Sequence, residues 1–521
     1  MYGKLLEIEF VSGRIGGAPP IVYVLGIFAV SVGFWSLKGT FVSSSAQRPV
    51  AGADDSTGEL VILGDTFSGY STFRAPEFNA ELEQSDISLR FENEFDQATR
   101  AARLEDGTAD LIVTTLDQYL KHEPDGKIVG LIDRTVGADA VVLNTPKYPN
   151  LKSLNDLSQL VADGNPLSLA YAADTPSEFL AQVLDIRFDG FNLSDFNHIK
   201  VAEASEAWKE LQTSKADIAV AVLWEPFVSQ AREGGHTVVL SSQDAPTAIL
   251  DVIVASDQLI WEEQQKLTEF LSTYYRRMDQ AIQDDSPLKT LIQTDGDLSE
   301  AQTDLVIDGI DFFTSIEAGR WMEDGTLAKR IDATAAILVL SGQMTDVPIA
   351  EELYNNQFMA EAVANTESLI AMVEADNPEL AGFLRGDTGK TSAELTPEAI
   401  QASQPIGDLD FKGEIKFEVG SVAIAQESQQ ALTELANEIK EFNTETVAIQ
   451  IIGHTSQTGG AAENQRLSQA RAEAVVAYLK SKAVKHNISA EGKGFSELLP
   501  AIPPADPRHQ RTEIRLVRIN Q

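Results

Sequence analysis

VAIQIIGHTSQTGGAAENQRLSQARAEAVVAYL fills residues 447–479, and it reads as strand, loop and helix in succession. The run VAIQIIGH is short and almost wholly apolar, as a strand buried on both faces would be. Leu467, Ala470, Ala474, Val475 and Tyr478 then recur at helical spacing, which predicts a helix packed along one face. Just upstream, Leu432, Leu435, Ala436 and Ile439 predict a second such helix. IKFEVGSVAI (415–424) reads as an opening strand and turn, GKGFSELLPAI (492–502) as a further segment, and QRTEIRLV (510–517) as a final strand. Residues 412–521 are therefore expected to form an α+β module.

The Gly-His-Thr loop, the Asn-x-x-Leu-Ser-x-x-Arg-Ala stretch beginning at Asn464 and the Gly-x-Gly-x-x-x-x-Pro segment beginning at Gly492 together resemble the OmpA C-terminal family. The resemblance implies a βαβαββ-type domain that recognises the peptide stem of peptidoglycan. It implies contacts from His454, Thr455, Ser456, Asn464, Leu467, Arg471 and Arg511. In that family an Asp after Gly-His-Thr pairs with an ammonium, and the Arg of the helix holds a carboxylate. Arg471 is that Arg, and its guanidinium fork suits bidentate binding. Two positions depart: Ser456 stands where the Asp is expected, and Thr512 where a second Arg is usual. Serine accepts a hydrogen bond but brings no charge, a loss of about 1–2 kcal/mol from a charge-assisted contact.

Upstream, ELVILG (59–64), ADLIVTT (109–115), ADAVVLN (138–144), LSLAYAAD (167–174), ADIAVAVLW (216–224) and TVVLSS (237–242) are near-continuous apolar runs. Helical patterns such as Asp96–Leu104 and Ser205–Leu211 separate them, so an α/β fold with parallel sheets is expected, with ligands at the carboxyl ends of the strands. GDTFSGYSTF (64–73), DRTVGADAVV (133–142), ADTPSEFL (173–180) and VLWEPFVSQA (222–231) fall in the order and spacing of the periplasmic substrate-binding proteins of the nitrate, sulfonate and taurine transporter type, which residues 58–345 resemble. That resemblance implies two α/β lobes closing on a small ligand about a hinge.

Thr175 as N-cap, Pro176 at the first helical position and Glu178 as the third member of a capping box predict a helix start after a strand, a natural anion site. Gly69 allows close backbone approach, beside Thr66, Ser68 and an aromatic wall from Tyr70. Thr114, Thr115, Arg134, Thr135 and Gly137 fall at strand ends, where Arg134 is a candidate partner for an anionic group. Ser177, Trp224 and Glu225 complete the candidate ligand site. No nucleophile elbow, phosphate loop or histidine–nucleophile pairing is present, so no enzymatic activity is expected.

Residues 257–385 read as a helical extension of this domain, through Leu267, Phe270, Leu271 and Tyr274 and then Ile331, Ala335, Ile337 and Leu338. Residues 386–411 are polar and read as a linker. At the other end, the uncharged run PIVYVLGIFAVSVGFWSL (20–37) is one bilayer crossing long, with Tyr23 and Trp35 at its interfaces. It predicts a transmembrane anchor over 20–42, after a cytoplasmic segment 1–19 and before a flexible stretch 43–57. Ser44-Ser45-Ala46 would suit signal cleavage, but Glu7 and Glu9 spoil a basic leader. No carboxylate lies in the span, unlike the proton-carrying stator subunits of similar layout.

The net charge of -39 opposes nucleic acid as a partner. The absence of cysteine excludes disulfides and thiolate metal sites, and the six histidines show no metal-ligand spacing. No cofactor or metal is expected. The expected whole is a single-pass inner-membrane protein with its later domains in the periplasm, binding a small ligand, with anions among the candidates, and gripping peptidoglycan. The other reading is a non-transporting scaffold or stator-like subunit of an envelope complex, whose binding-protein domain is an interaction surface for integral membrane partners.

Overall fold

A computed structural model describes residues 59–519 apart from 165, 214–216, 387–393, 411–414 and 418–420. The expected anchor lies outside the described residues, and no helix among them is long and apolar enough to cross a membrane. Three sheets organise the unit Thr57–Gln521. The first lobe is a six-stranded sheet in the order Ile310–Phe312, Gly126–Thr135, Leu250–Ser256, Leu111–Thr115, Glu59–Gly64 and Ser88–Asn93. The second lobe is a five-stranded sheet in the order Phe196–Val201, Leu167–Ala172, Ile218–Trp224, Asp139–Leu143 and Thr237–Ser241. The chain passes between the lobes twice, at 136–138 and at 242–249. Paired crossings of this kind are what hinge closure requires.

The sheets are mixed rather than all-parallel. Leu250–Ser256 runs antiparallel to both its neighbours, and Asp139–Leu143 does the same in the second lobe. Each enters its sheet directly from a crossing, with no helix to return it to the starting edge, so it lies antiparallel. The helices of 257–384 cover the first lobe, where Leu267, Phe270, Leu271 and Tyr274 are fully buried.

The stretch expected to be a linker carries structure. Pro397–Ala402 is a helix capped by Thr396, whose hydroxyl accepts from Ala399 N at 3.2 Å. Gln404–Asp408 is a strand paired antiparallel with Thr512–Arg518, so the C-terminal sheet runs Gln404–Asp408, Thr512–Arg518, Val447–His454, Ile488–Gly494. Of the expected opening strand 415–424, the described residues show one isolated bridge, Phe417 to Ile424. Residues expected to be linker thus form one edge of this sheet.

The long helix Ala461–Ser481 lies across this sheet, and its buried positions are Asn464, Ser468, Ala472, Val475 and Leu479. That face is rotated from the expected one: Leu467, Ala470, Ala474 and Tyr478 are only half-buried. The reason is close approach, because a Cβ on Gly453 would collide with Ser468 O. Small side chains therefore occupy the contact and larger ones flank it.

The second lobe and the C-terminal module share one apolar core. Leu154, Leu184, Phe188 and Phe191 pack in it with Ile406, Leu409, Leu435 and Phe442. Backbone bonds cross the junction: Asp410 N donates to Arg187 O at 2.8 Å and Asn443 N to Asp244 O at 2.8 Å. Arg518 reaches back to Asp244 and to Val238 O.

Candidate functional site

The cleft floor is set by register across three strands. Asp251 is directly opposite Thr115 on one side and Asp133 on the other. Cross-strand partners project to one face, so the two carboxylates stand side by side, an arrangement that destabilises a sheet when like charges meet. A register shift follows Asp251 immediately, re-aiming the strand at this point. Asp133 is 0% exposed and Asp251 1% exposed, and neither Asp133 oxygen has a hydrogen-bond partner.

The loop after Glu59–Gly64 lies over them. Tyr70 donates its hydroxyl to Asp251, with Phe67 edge-on to its ring at 5.2 Å. A Cβ at Gly69 would collide with the Asp133 carboxylate, so the approach depends on glycine. Ser68 is half-buried beside them and Thr66 is exposed at the rim. Thr114 donates to Gln97 Oε1 at 3.0 Å, and Thr135 is held by its backbone to Ile249 O at 3.3 Å. Asp117 is buried and accepts from Gln118 Nε2 at 2.8 Å. At the crossing, Ser242 Oγ accepts from Gly137 N at 2.8 Å and Asp139 N at 3.2 Å, and Asp139 is opposite Trp224.

Burial raises the carboxyls of Asp133, Asp251 and Asp117 above their ordinary range, with Asp311 adding to the first and Asp133 to the second. Burial, then Asp117 and Glu225, pushes Asp139 up to about 7. Burial and the neighbouring Asp251 raise Tyr70 in the same way.

Arg134 is turned away from this floor. It follows Asp133 in the strand and so points to the opposite face. There it pairs with Asp311 at 2.5 Å and Glu317 at 2.9 Å, and lies over Phe313 at 4.6 Å. The cations nearest the cleft are likewise engaged. Arg100 pairs with Asp65 at 3.0 Å, Lys121 with Asp174 across the lobes, and Lys200 with Glu178 at 2.8 Å. The helix start at Thr175 is also neutralised: Thr175 Oγ1 accepts from Ser177 N at 3.2 Å, while the Glu178 carboxylate takes Asp174 N at 2.9 Å. Glu178 therefore closes on the residue before the N-cap rather than on the N-cap itself. Glu225 caps its own helix through Ser229 N at 3.1 Å. These positions form an acceptor-rich cleft with no uncommitted cation among the residues named.

Asp133, Asp251, Asp117 and Asp139 are missing from the residues that the sequence singled out. Their signal is a single carboxylate inside an apolar run, as in LIDRT (131–135) and ILDVIVA (249–255). Among the described residues, no group of three or more His, Asp or Glu is arranged to hold a metal ion.

In the C-terminal module, Ser456 is 1% exposed and its hydroxyl lies 3.1 Å from Thr458 Oγ1. Gln510 links it to Arg471: Gln510 Nε2 donates to Ser456 Oγ at 3.4 Å, and Arg471 Nη1 donates to Gln510 Oε1 at 3.4 Å. Both bonds are long, and therefore weak. Phe417 stacks on the Arg471 guanidinium at 4.8 Å, and burial lowers its pKa from the ordinary value. His454 is buried with Nε2 3.2 Å from Glu513 Oε1. Burial alone would raise Glu513, but His454 and Arg511 hold it down to about 2. Arg511 is thereby paired with Glu513 at 2.6 Å. Asn464 fastens the loop through Thr458 O at 2.8 Å and Gly460 O at 3.2 Å, and Thr455 N reaches Gly494 O at 2.7 Å.

Residues 416–508 match the OmpA family model. Over 87 residues the chain is 37% identical to outer membrane protein A of Shimwellia blattae, which is 16% of this chain and 36% of that protein. The chain thus spans about a third of the length of that curated relative. Among solved structures, it is similar to the periplasmic aliphatic sulphonate binding protein SsuA from Escherichia coli at 14% identity and TM-score 0.46, over 57% of this chain and 98% of the other. It is also similar to the periplasmic nitrate-binding protein NrtA from Synechocystis PCC 6803 at 11% identity and TM-score 0.46, over 61% of this chain and 90% of the other.

Proposed function

We propose that this chain is an envelope protein that captures a small molecule between its two lobes and holds that capturing body against peptidoglycan. The segment 20–42 would anchor it in the inner membrane, with the described residues in the periplasm. Capture suits a cleft whose floor offers hydrogen-bond acceptors. The observation that carries the reading is the core that the second lobe shares with the module matching the OmpA family. What the module grips, the cleft is fixed to.

Wall contact would centre on Arg471, with a stem-peptide carboxylate replacing Gln510 against the guanidinium. Ser456 would then accept from an ammonium without supplying charge.

Native mass spectrometry of the full chain, released gently from detergent, tests capture. A bound small-molecule mass is expected on the chain, and it should disappear on mild unfolding and refolding. A scaffold whose lobes serve only as an interaction surface would carry no such mass in any preparation.

A further inference from the structure

We infer that the interlobe cleft takes an organic cation, an amine or quaternary ammonium, rather than an anion. This inference rests on the capture reading above and names its ligand class. Four carboxylates, Asp117, Asp133, Asp139 and Asp251, are each at most 6% exposed and stand near enough to act on one another, Asp133 and Asp117 on Asp251, and Asp117 on Asp139. The first lobe supplies Asp117, Asp133 and Asp251, and Asp139 stands where the chain enters the second lobe. Their proximity is written in the backbone, since Asp133 and Asp251 are direct cross-strand partners. No sheet gains stability from like charges placed so.

Other buried polar atoms beside these carboxylates are also without partners: Gln118 Oε1, on the side chain that donates to Asp117, and Tyr274 Oη, near Asp133 and Asp251. Buried polar atoms are ordinarily satisfied, so a group of orphans in one place marks a missing partner. The missing partner is positive. Carboxylate and amide oxygens accept only, and the cations within reach, Arg100, Lys121 and Lys200, already pair with Asp65, Asp174 and Glu178. An ammonium bound here would favour the ionised forms of Asp133 and Asp251 and pair with them, whereas an anion would oppose their ionisation and find the cations within reach already paired. Phe67 and Tyr70 add aromatic faces beside the floor, which suit the apolar body of an organic cation. No group of three or more potential ligands has metal-holding geometry among the described residues, which favours an organic cation over an inorganic one.

The test is thermal unfolding of the full chain with putrescine, choline, nitrate or ethanesulfonate, each at 1 mM against a sodium chloride control of equal ionic strength. Putrescine or choline should raise Tm by several degrees, and nitrate and ethanesulfonate should not. Asp133→Asn should weaken the cation's Kd by about 100-fold or more, because a buried charge pair is broken. It should also raise Tm in the absence of ligand, an outcome that separates lost recognition from lost folding. Asp117→Asn serves as a second variant with the same two readouts. A shift from ethanesulfonate or nitrate alone would overturn the cation assignment and leave capture standing. A shift with sodium chloride equal to that with putrescine would overturn it as mere screening. No shift from any probe, with no co-purifying mass, would overturn capture and the cation assignment together.

Discussion

Phe188→Ala lowers the stability of the second lobe and of the C-terminal module together, by about 3–5 kcal/mol. Phe188 is 1% exposed at the junction of the two, edge-on to Phe442 with ring centres 6.3 Å apart. Its backbone bridges Leu409, and Gly407 leaves room for its ring, since a Cβ there would sit 3.1 Å from Phe188 Cδ1. Truncation removes the transfer energy of the ring and leaves a cavity that two rigid sheets cannot close. Hydrogen exchange read by mass spectrometry should show faster exchange both in 167–224 and in 447–518. Faster exchange confined to the lobe would mean that the module folds on its own and only rests against it.

Lowering the pH from 8 to 5 raises the stability of the ligand-free protein, by about 2–3 kcal/mol from Asp139 alone. The sign follows from the direction of the shift. Burial, Asp117 and Glu225 move Asp139 from its ordinary 3.8 to about 7, so between those values the folded state holds a proton that the unfolded state has lost. Stability therefore falls as pH rises through that window and levels off above it. Asp117, Asp133 and Asp251 are raised by burial and act in the same direction. Glu513, held down to about 2, contributes a stability that is lost only at more acid pH. Tm measured at pH 8, 7, 6 and 5 should climb, and Asp139→Asn should flatten the climb. An unchanged slope in that variant would assign the effect to Asp117, Asp133 and Asp251 or to the chain's overall negative charge, and not to Asp139.

Much of the scaffold was legible because it is written in apolar runs. The apolar runs at 59–64, 109–115 and 216–224 read as strands, and the strands Glu59–Gly64, Leu111–Thr115 and Ile218–Trp224 fall within them. The Gly-His-Thr loop and the helix after it were legible as a motif, and residues 416–508 match the OmpA family. What escaped depends on pairing. The polar sequence of 397–408 looks like a linker because its strand draws its stability from Thr512–Arg518, more than a hundred residues away in sequence. The return strand Leu250–Ser256 escaped for the same reason, and with it Asp251. Arg134 was the natural choice for holding a ligand, being a lone arginine at a strand end. Strand parity sends it to the far face and Asp133 to the cleft. A residue's type announces chemistry, but register decides whether that chemistry meets a ligand.

Sedimentation with purified peptidoglycan measures wall attachment directly. The full chain should pellet with the wall material, and Arg471→Ala should leave most of it in the supernatant. Ser456→Asp should pellet more strongly than the unaltered chain, by restoring a charged partner for the stem-peptide ammonium. If the unaltered chain stays in the supernatant while Ser456→Asp pellets, the module keeps its fold without its grip, and the claim of wall attachment is wrong.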